Sequence, residues 1–308
     1  MSLTQDSQTA TVRLDHHVVS RLHPWRWLSA LAGVLILILV LRSWYRNPAI
    51  DHATIGRYLT ASAILIGVRT TIILALISEV IGIIGGSLLA LMRLSRNPIL
   101  RAVAAAYIWL MRGTPLLVQI LIWGNLALFY KNLRVGIPFT HVVFFQGSTN
   151  SIITTFVASI LALSLNEAAY MCEIVRSGLL AVDSGQREAA LALGMSEAQS
   201  TRRIMLPQAV RVVIPPTGNQ FLNMLKMTSL VSVIAGGDLL TQAENISAAN
   251  LRTVELLVVA SIWYLMMTTV VTILQVVLER RMARGTRISM SRRRQRRITL
   301  SRSGAGEL

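Results

Sequence analysis

Val182-Asp183-Ser184-Gly185-Gln186-Arg187-Glu188-Ala189-Ala190-Leu191-Ala192-Leu193-Gly194-Met195-Ser196 continues through Glu197-Ala198-Gln199-Ser200-Thr201-Arg202-Arg203 into Ile204-Met205-Leu206-Pro207-Gln208-Ala209. The pattern is helix, break, helix. Arg187–Leu193 is a run of strong helix formers, and Gly194 suits a left-handed C-terminal stop. Ser196 is placed to cap the next helix, with Gln199 at the third position completing a capping box. Pro207 is expected to end or bend that second helix.

Apolar runs of membrane length flank this polar stretch, at about 152–175 and 212–234. A spanning helix needs about 20 mostly apolar residues. Four more candidates lie at about 27–45, 70–92, 116–130 and 254–278, so the chain reads as a bundle of about six transmembrane helices. The first holds the dense run GVLILILVL from Gly33 to Leu41 and reads as an uncleaved anchor. The third is short, but 102–111 precedes it as an apolar lead-in, and Arg112-Gly113-Thr114-Pro115 breaks the pattern between them. These four residues are candidates for a helix bend, with a gate as the further possibility.

Composition agrees. Of 308 residues, 53% are hydrophobic and 14% charged. Soluble domains carry about 25% charged residues. The mean hydropathy is +0.57. The formal net charge is +16, and its placement decides what it means. With the N-terminus cytoplasmic, 22 of the 30 Lys and Arg fall on cytoplasmic segments and 7 on the opposite side. That bias places both termini in the cytoplasm. The run Arg292-Arg293-Arg294-Gln295-Arg296-Arg297 follows the last span, where it reads as an anchor near anionic lipid headgroups rather than a nucleic-acid patch. The single Cys172 excludes an intrachain disulfide and any cysteine-cluster metal site. His16 and His17 read as part of a solvated tail.

The ordered motifs resemble the EAA-signature permeases of ATP-binding-cassette importers, in their polar amino-acid branch. The signature stands as Glu188-Ala189-Ala190, Gly194 and Ile204-Met205-Leu206-Pro207. The resemblance extends to Arg112-Gly113-Thr114-Pro115-Leu116-Leu117-Val118-Gln119, Ala168-Ala169-Tyr170, Glu173-Ile174-Val175-Arg176, Gly185-Gln186 and Lys226-Met227-Thr228-Ser229-Leu230. It covers roughly 67–278. It implies an all-α integral membrane bundle with a five-helix importer core, to which this chain adds the N-terminal helix. It also implies a cytoplasmic coupling helix that carries Gly185, Gln186, Arg187, Glu188, Ala189, Ala190, Gly194, Ile204, Leu206 and Pro207 and docks on an ATPase subunit dimer. The further partners implied are a second permease copy or paralogue and an extracytoplasmic solute-binding protein, with an amino acid or similar small solute as cargo. The location implied is the bacterial inner membrane.

No Gly-x-x-x-x-Gly-Lys-[Ser/Thr] phosphate loop is present, so the chain reads as a transport subunit rather than an enzyme. ATP and Mg are expected on the partner ATPase, with no cofactor bound directly. The rival reading is a self-sufficient ion-coupled carrier, which would favour an inverted repeat that the sequence does not display.

The organisation expected is a cytoplasmic tail 1–26, an extra helix 27–45, an extracytoplasmic linker 46–66 and a permease core 67–279 containing the coupling loop 181–210. A basic tail 280–308, poor in apolar residues, reads as disordered. Within the core, Asn166, Tyr170 and Glu173 share one helical face, and Asn219, Asn223 and Lys226 repeat that spacing. The two stripes are candidates for a solute pathway, with Glu167 or Glu173 and Lys226 meeting the charged ends of a zwitterion. The bland alternative pairs Glu173 with Arg176. Thr228 and Ser229 are candidates for the pathway or for interhelical packing.

Overall fold

Thirty-three residues from Ser62 to Leu94, with Glu79 as their one acidic member, form the longest apolar helix of the permease-like core. The structure is a computed structural model that describes residues 24–48, 50–136 and 143–303. The expectations for the tail up to residue 23, for His16 and His17, and for residues 304–308 lie outside the described residues.

The chain divides into two units, Met1–Ile50 and Asp51–Leu308. The first contains helix α1 (Pro24–Tyr45), whose Leu35, Ile36, Leu37, Ile38 and Leu39 side chains are all exposed. An all-round apolar helix of this kind is suited to lipid, not water.

The second unit opens with α2 (His52–Leu59), capped by Asp51, whose carboxylate accepts from Ala53 N at 3.0 Å and Thr54 N at 3.2 Å. The long α3 (Ser62–Leu94) follows. Asn97 caps α4 (Pro98–Gly113), and the chain then turns sharply into α5 (Leu116–Gly124) and the single turn α6 (Leu126–Phe129). Next comes an antiparallel hairpin of β1 (Asn132–Gly136) and β2 (Val143–Ser148), which pairs Asn132 with Ser148. This hairpin is a small departure from an all-α expectation, formed by Leu133-Arg134-Val135 and Val143-Phe144-Phe145, residue types that favour strands. After the turn α7 (Thr149–Ile152), α8 (Thr155–Leu180) returns through the bundle.

The loop helices α9 (Ser184–Ala192) and α10 (Glu197–Ser200) lead through a π-helical turn, Thr201–Met205, into α11 (Leu206–Met227). A 3-10 turn, Thr228–Ile234, then precedes α12 (Leu239–Asn250). The last helix, α13, runs Thr253–Ser303, its apolar part being Thr253–Met282. Beyond residue 280, where the sequence suggests disorder, the backbone is helical to Ser303, in a segment rich in arginine and free of proline.

Among the described residues, four helices are long and apolar enough to cross a membrane, and six spans result when each of two bent pairs counts as one. The bent pairs are α4 with α5, at 97°, and the stretch Glu197–Ile234 with α12, at 44°. The expected six spans correspond to these. Pro207 does not end its helix, because the π-helical turn before it already shifts the hydrogen-bond register where proline lacks an N–H.

The core joins α3, α5, α8 and α11 through Leu74, Ala75, Ile120, Ala162, Leu163, Met224 and Leu225. The α3–α8 contact is intimate because glycines face it. A Cβ on Gly86 would lie 2.5 Å from Met171 Cβ and 2.8 Å from Cys172 N. Small residues at such crossings let helix backbones approach closely in a membrane. At the far end, Trp263 Nε1 of α13 donates to Leu59 O at 2.9 Å, and Leu239 N donates to Thr71 Oγ1 at 3.0 Å.

Candidate functional site

Two places gather polar groups: the break between α4 and α5, and the loop 181–210. The 16 residues of α4 rise about 24 Å, short of a hydrocarbon core of about 30 Å. With α4 and α5 counted as one span, the break at 112–115 falls inside it, and its backbone groups need partners within the protein. Gln119, first turn of α5 and 7% exposed, supplies one. Its Nε2 donates to Met111 O at 2.9 Å, to Thr114 Oγ1 at 2.8 Å and to Thr114 O at 3.2 Å. Asn166 of α8 joins from the side, its Nδ2 donating to Met111 O at 3.0 Å and to Gln119 Oε1 at 3.3 Å. Thr114 Oγ1 donates back to Leu110 O at 2.8 Å.

Tyr170, one turn further along α8, lies beneath the Arg112 guanidinium, which sits 5.1 Å from the ring centroid. The break residues and the Asn166–Tyr170 part of the first stripe thus form one assembly. Gly113 and Pro115 contribute the open turn, Gly113 having free space where a side chain would be.

Glu173 belongs elsewhere. Its Oε2 accepts from Arg176 Nη2 at 2.7 Å and Nε at 2.9 Å, one turn away on the same helix. Glu167 also turns away from Asn166, toward α3 and α11. Gln220 Nε2 donates to its Oε2 at 3.1 Å, and its Cγ packs where a Gly82 side chain would be. Glu79, on the same α3 face one turn before Gly82, is 5% exposed and has no hydrogen-bond partner for either oxygen. Glu167 Oε1 is likewise unpaired, at 1% exposure. Buried polar groups normally have partners, so this region is a second polar locus of the bundle. Reading by stripes missed Glu79 and Gln119. The available signal was a lone acidic residue in a 33-residue apolar helix.

The second stripe stays apart from the first. Asn219 Oδ1 accepts from Gln275 Nε2 of α13 at 3.0 Å, and Asn223 and Lys226 are exposed. Thr228 is buried and donates to Leu225 O at 2.8 Å, while Ser229 donates to Lys226 O at 2.7 Å. Both hydroxyls therefore close the turn that ends α11.

The loop is built by caps. Asp183 Oδ1 accepts from Gly185 N at 2.9 Å to start α9. Gly194, at φ +83°, stops it. Gly194 N donates to Leu191 O at 2.9 Å and Met195 N to Ala190 O at 3.1 Å, the paired bonds of a Schellman ending. Ser196 and Gln199 form the expected reciprocal capping box. Arg187 grips Glu197 with two bonds, Nε to Oε2 at 3.0 Å and Nη2 to Oε1 at 2.6 Å, which hold α9 to α10. Those bonds and the Glu197 charge push the Arg187 guanidinium above its already high ordinary value, so it stays charged.

The outer surface of α9 presents Gly185, Gln186, Glu188 and Ala189, while Ala190 packs inward. Leu193 is 85% exposed beside Gly194, an apolar tip that the motif reading passed over. Ile204 is half-buried; Leu206 and Pro207 are exposed at the start of α11.

Comparison with known proteins places these features in context. The family described as "Binding-protein-dependent transport system inner membrane component" matches residues 82–284. The chain is similar to the arginine transport system permease protein ArgU of Corynebacterium glutamicum, at 39% identity over 273 residues, 88% of this chain and 84% of that protein. It is similar to the glutamine transport system permease protein GlnP of Escherichia coli K12, at 33% identity across 70% of this chain and 91% of that one. A crystal structure of an amino acid ABC transporter with histidines superimposes with a TM-score of 0.64 at 34% identity, covering 75% of this chain and 99% of that one. The MetNI methionine ABC transporter shares the fold, with a TM-score of 0.52 at 16% identity over 76% of this chain and 99% of that one.

Proposed function

The chain belongs to the family of binding-protein-dependent transport system inner membrane components, and from that premise we propose that it translocates a polar amino acid or a related small solute inward, driven by a separate ATPase. The observation that carries this reading is the capped, outward-facing loop. Its signature residues Glu188, Ala189 and Gly194 stand exposed beside the bare Leu193 side chain.

In this account α9 docks on one subunit of an ATPase dimer, which binds ATP and Mg. The Arg187–Glu197 pair makes α9 and α10 move as one piece. The π-helical turn Thr201–Met205 transmits that movement into α11. An extracytoplasmic binding protein delivers the solute, and a second permease copy or a paralogue completes the pathway. Closure of the ATPase dimer switches the cavity from one side to the other, with both termini of this chain cytoplasmic. The Arg112–Tyr170 contact and the Gln119–Asn166 bonds form a polar station at membrane depth where a zwitterion exchanges partners. The names of the relatives, which include arginine and glutamine transport systems, support an amino acid as cargo.

The test is purification of tagged protein from its native membrane in mild detergent, followed by mass spectrometry. A phosphate-loop ATPase is expected in the eluate, and Glu188→Lys is expected to remove it. Recovery of the chain without any ATPase, with transport intact after reconstitution, would overturn the reading. A second permease in the eluate identifies a heterodimer.

A further inference from the structure

At the loop end of the bundle, α11 and α13 leave a groove of about 690 Å³ between them. Leu206, Val210 and Ile214 repeat every fourth residue along its α11 wall, and Leu278 faces them from α13. Two guanidiniums, Arg211 and Arg281, line the same groove. Their relative depth follows from Gln275, which hydrogen-bonds Pro215 O at 3.5 Å and Asn219 Oδ1 at 3.0 Å and so sits level with residues 215–219. Arg281 is six residues from Gln275, and Arg211 is six residues from the middle of 215–219. Each is therefore about 9 Å from that bond toward the loop end. The backbones of the two arginines therefore stand at about the same height on the two walls of the groove.

Both are exposed, and among the described residues neither has an acidic partner. The nearest carboxylate along α13, Glu279, accepts from Gln275 at 3.0 Å. On the same scale Val210 is level with the arginines, Leu206 lies about 7 Å nearer the loop, and Ile214 and Leu278 lie about 4 Å deeper, where the groove continues to Leu76, Val80 and Phe221. A pair of free cations above this deeper apolar stretch matches one kind of molecule, with a phosphate and an acyl chain. Basic recesses between membrane helices take anionic headgroups by the same physics.

We propose that this groove is a binding site for one anionic phospholipid, its phosphate between Arg211 and Arg281 beside Val210 and one acyl chain along Ile214 and Leu278 toward Phe221. A second copy of the chain fits less well, since it would have to bring a carboxylate to two guanidiniums that the bilayer already supplies with phosphate. The occupant touches the first turns of α11, directly after the turn Thr201–Met205, and so lies where the loop joins the bundle. Only the choice of the cytoplasmic leaflet rests on the transport reading; the binding itself does not.

The experiment uses the full chain, purified with its partners, and native mass spectrometry after stepwise delipidation. The probes are phosphatidylglycerol and, as the zwitterionic comparison, phosphatidylcholine with identical acyl chains. One phosphatidylglycerol per chain is expected to be retained, and phosphatidylcholine is not. Arg211→Gln and Arg281→Gln are each expected to weaken retention about fivefold, and the pair about 25-fold, from a contribution of about 1 kcal/mol per charge. Val210→Trp, which fills the groove and keeps both arginines, is expected to reduce retention as well. Equal retention of the two lipids, or retention unchanged by the double substitution, would overturn the site. So would a crosslink from Val210→Cys to a second permease in place of lipid. Loss of transport with lipid retention intact would count against the function proposed above and leave this site standing.

Discussion

Gly86→Ala adds one methyl group where the α3–α8 crossing brings backbone closest to it. The new Cβ would lie 2.5 Å from Met171 Cβ, 2.8 Å from Cys172 N and 2.9 Å from Ala168 O. Two of those three neighbours are backbone atoms of a helix, so no side-chain rotation relieves the clash. Either α8 shifts away or α3 bends. Overpacking costs about 1–3 kcal/mol in general, and contacts with backbone atoms place this one in the upper half, about 2–3 kcal/mol. Alanine recovers about 1 kcal/mol of that through its better helix propensity. The balance is a loss of about 1–2 kcal/mol, or a melting point lower by roughly 2–8 °C in a chain of this size. Gly56→Ala is the matched control, since it lies within α2 and nothing occupies the space within 4 Å of its added Cβ. It is expected to leave the melting point unchanged or raise it. The assay is heat-induced loss of the monodisperse peak of detergent-solubilised protein on size exclusion. A Gly86→Ala protein that melts at or above wild type, with Gly56→Ala behaving normally, would refute the close crossing.

Three further perturbations address the polar groups. Gln119→Ala leaves Met111 O with Asn166 as its one side-chain donor and takes the Gln119 donor from both Thr114 oxygens; a loss of about 1–2 kcal/mol is expected, read as a lower melting point, and an unchanged one would contradict the bracing role. Glu79→Gln replaces a buried carboxyl that has no hydrogen-bond partner by an amide that carries no charge to bury, so a rise in melting point of a few degrees is expected, and a fall would mean that Glu79 has a partner in the assembled protein. Glu188→Lys and Gly194→Asp are expected to abolish ATP-dependent uptake with membrane insertion unchanged, the second because φ +83° disfavours a side chain; full uptake by either would remove that residue from the docking surface.

The membrane architecture was legible because length and hydropathy are carried by whole segments. Each of the six apolar runs has a counterpart, and the capping signals at Gly194 and at Ser196 with Gln199 appear where the residue types require them. The boundaries were less legible. α3 begins at Ser62 instead of 70, since Arg69 interrupts the hydropathy of the run without interrupting its helix. The break at 112–115 was visible from Pro115, but its 97° turn was not, because the angle depends on Gln119 and Asn166, which are 47 residues apart. The stripes failed for a related reason. Helical spacing places Asn166, Tyr170 and Glu173 on one face, yet Arg176 claims Glu173 and the break claims the other two. The hairpin Asn132–Ser148 carried a strand signal in Val135 and Val143-Phe144-Phe145, but a reading by membrane-length runs passes over segments this short.

A partner ATPase that drives this chain through its loop makes ATP the one energy source for uptake. The most direct measurement is uptake of radiolabelled amino acid into proteoliposomes holding the permease, its ATPase and its binding protein, with ATP or an ion gradient as the only energy source. The account predicts uphill uptake with ATP and none with the gradient alone, and no ATP-driven uptake once Glu188→Lys is introduced. Sustained uphill uptake on an ion gradient without ATP would contradict it and identify an ion-coupled carrier.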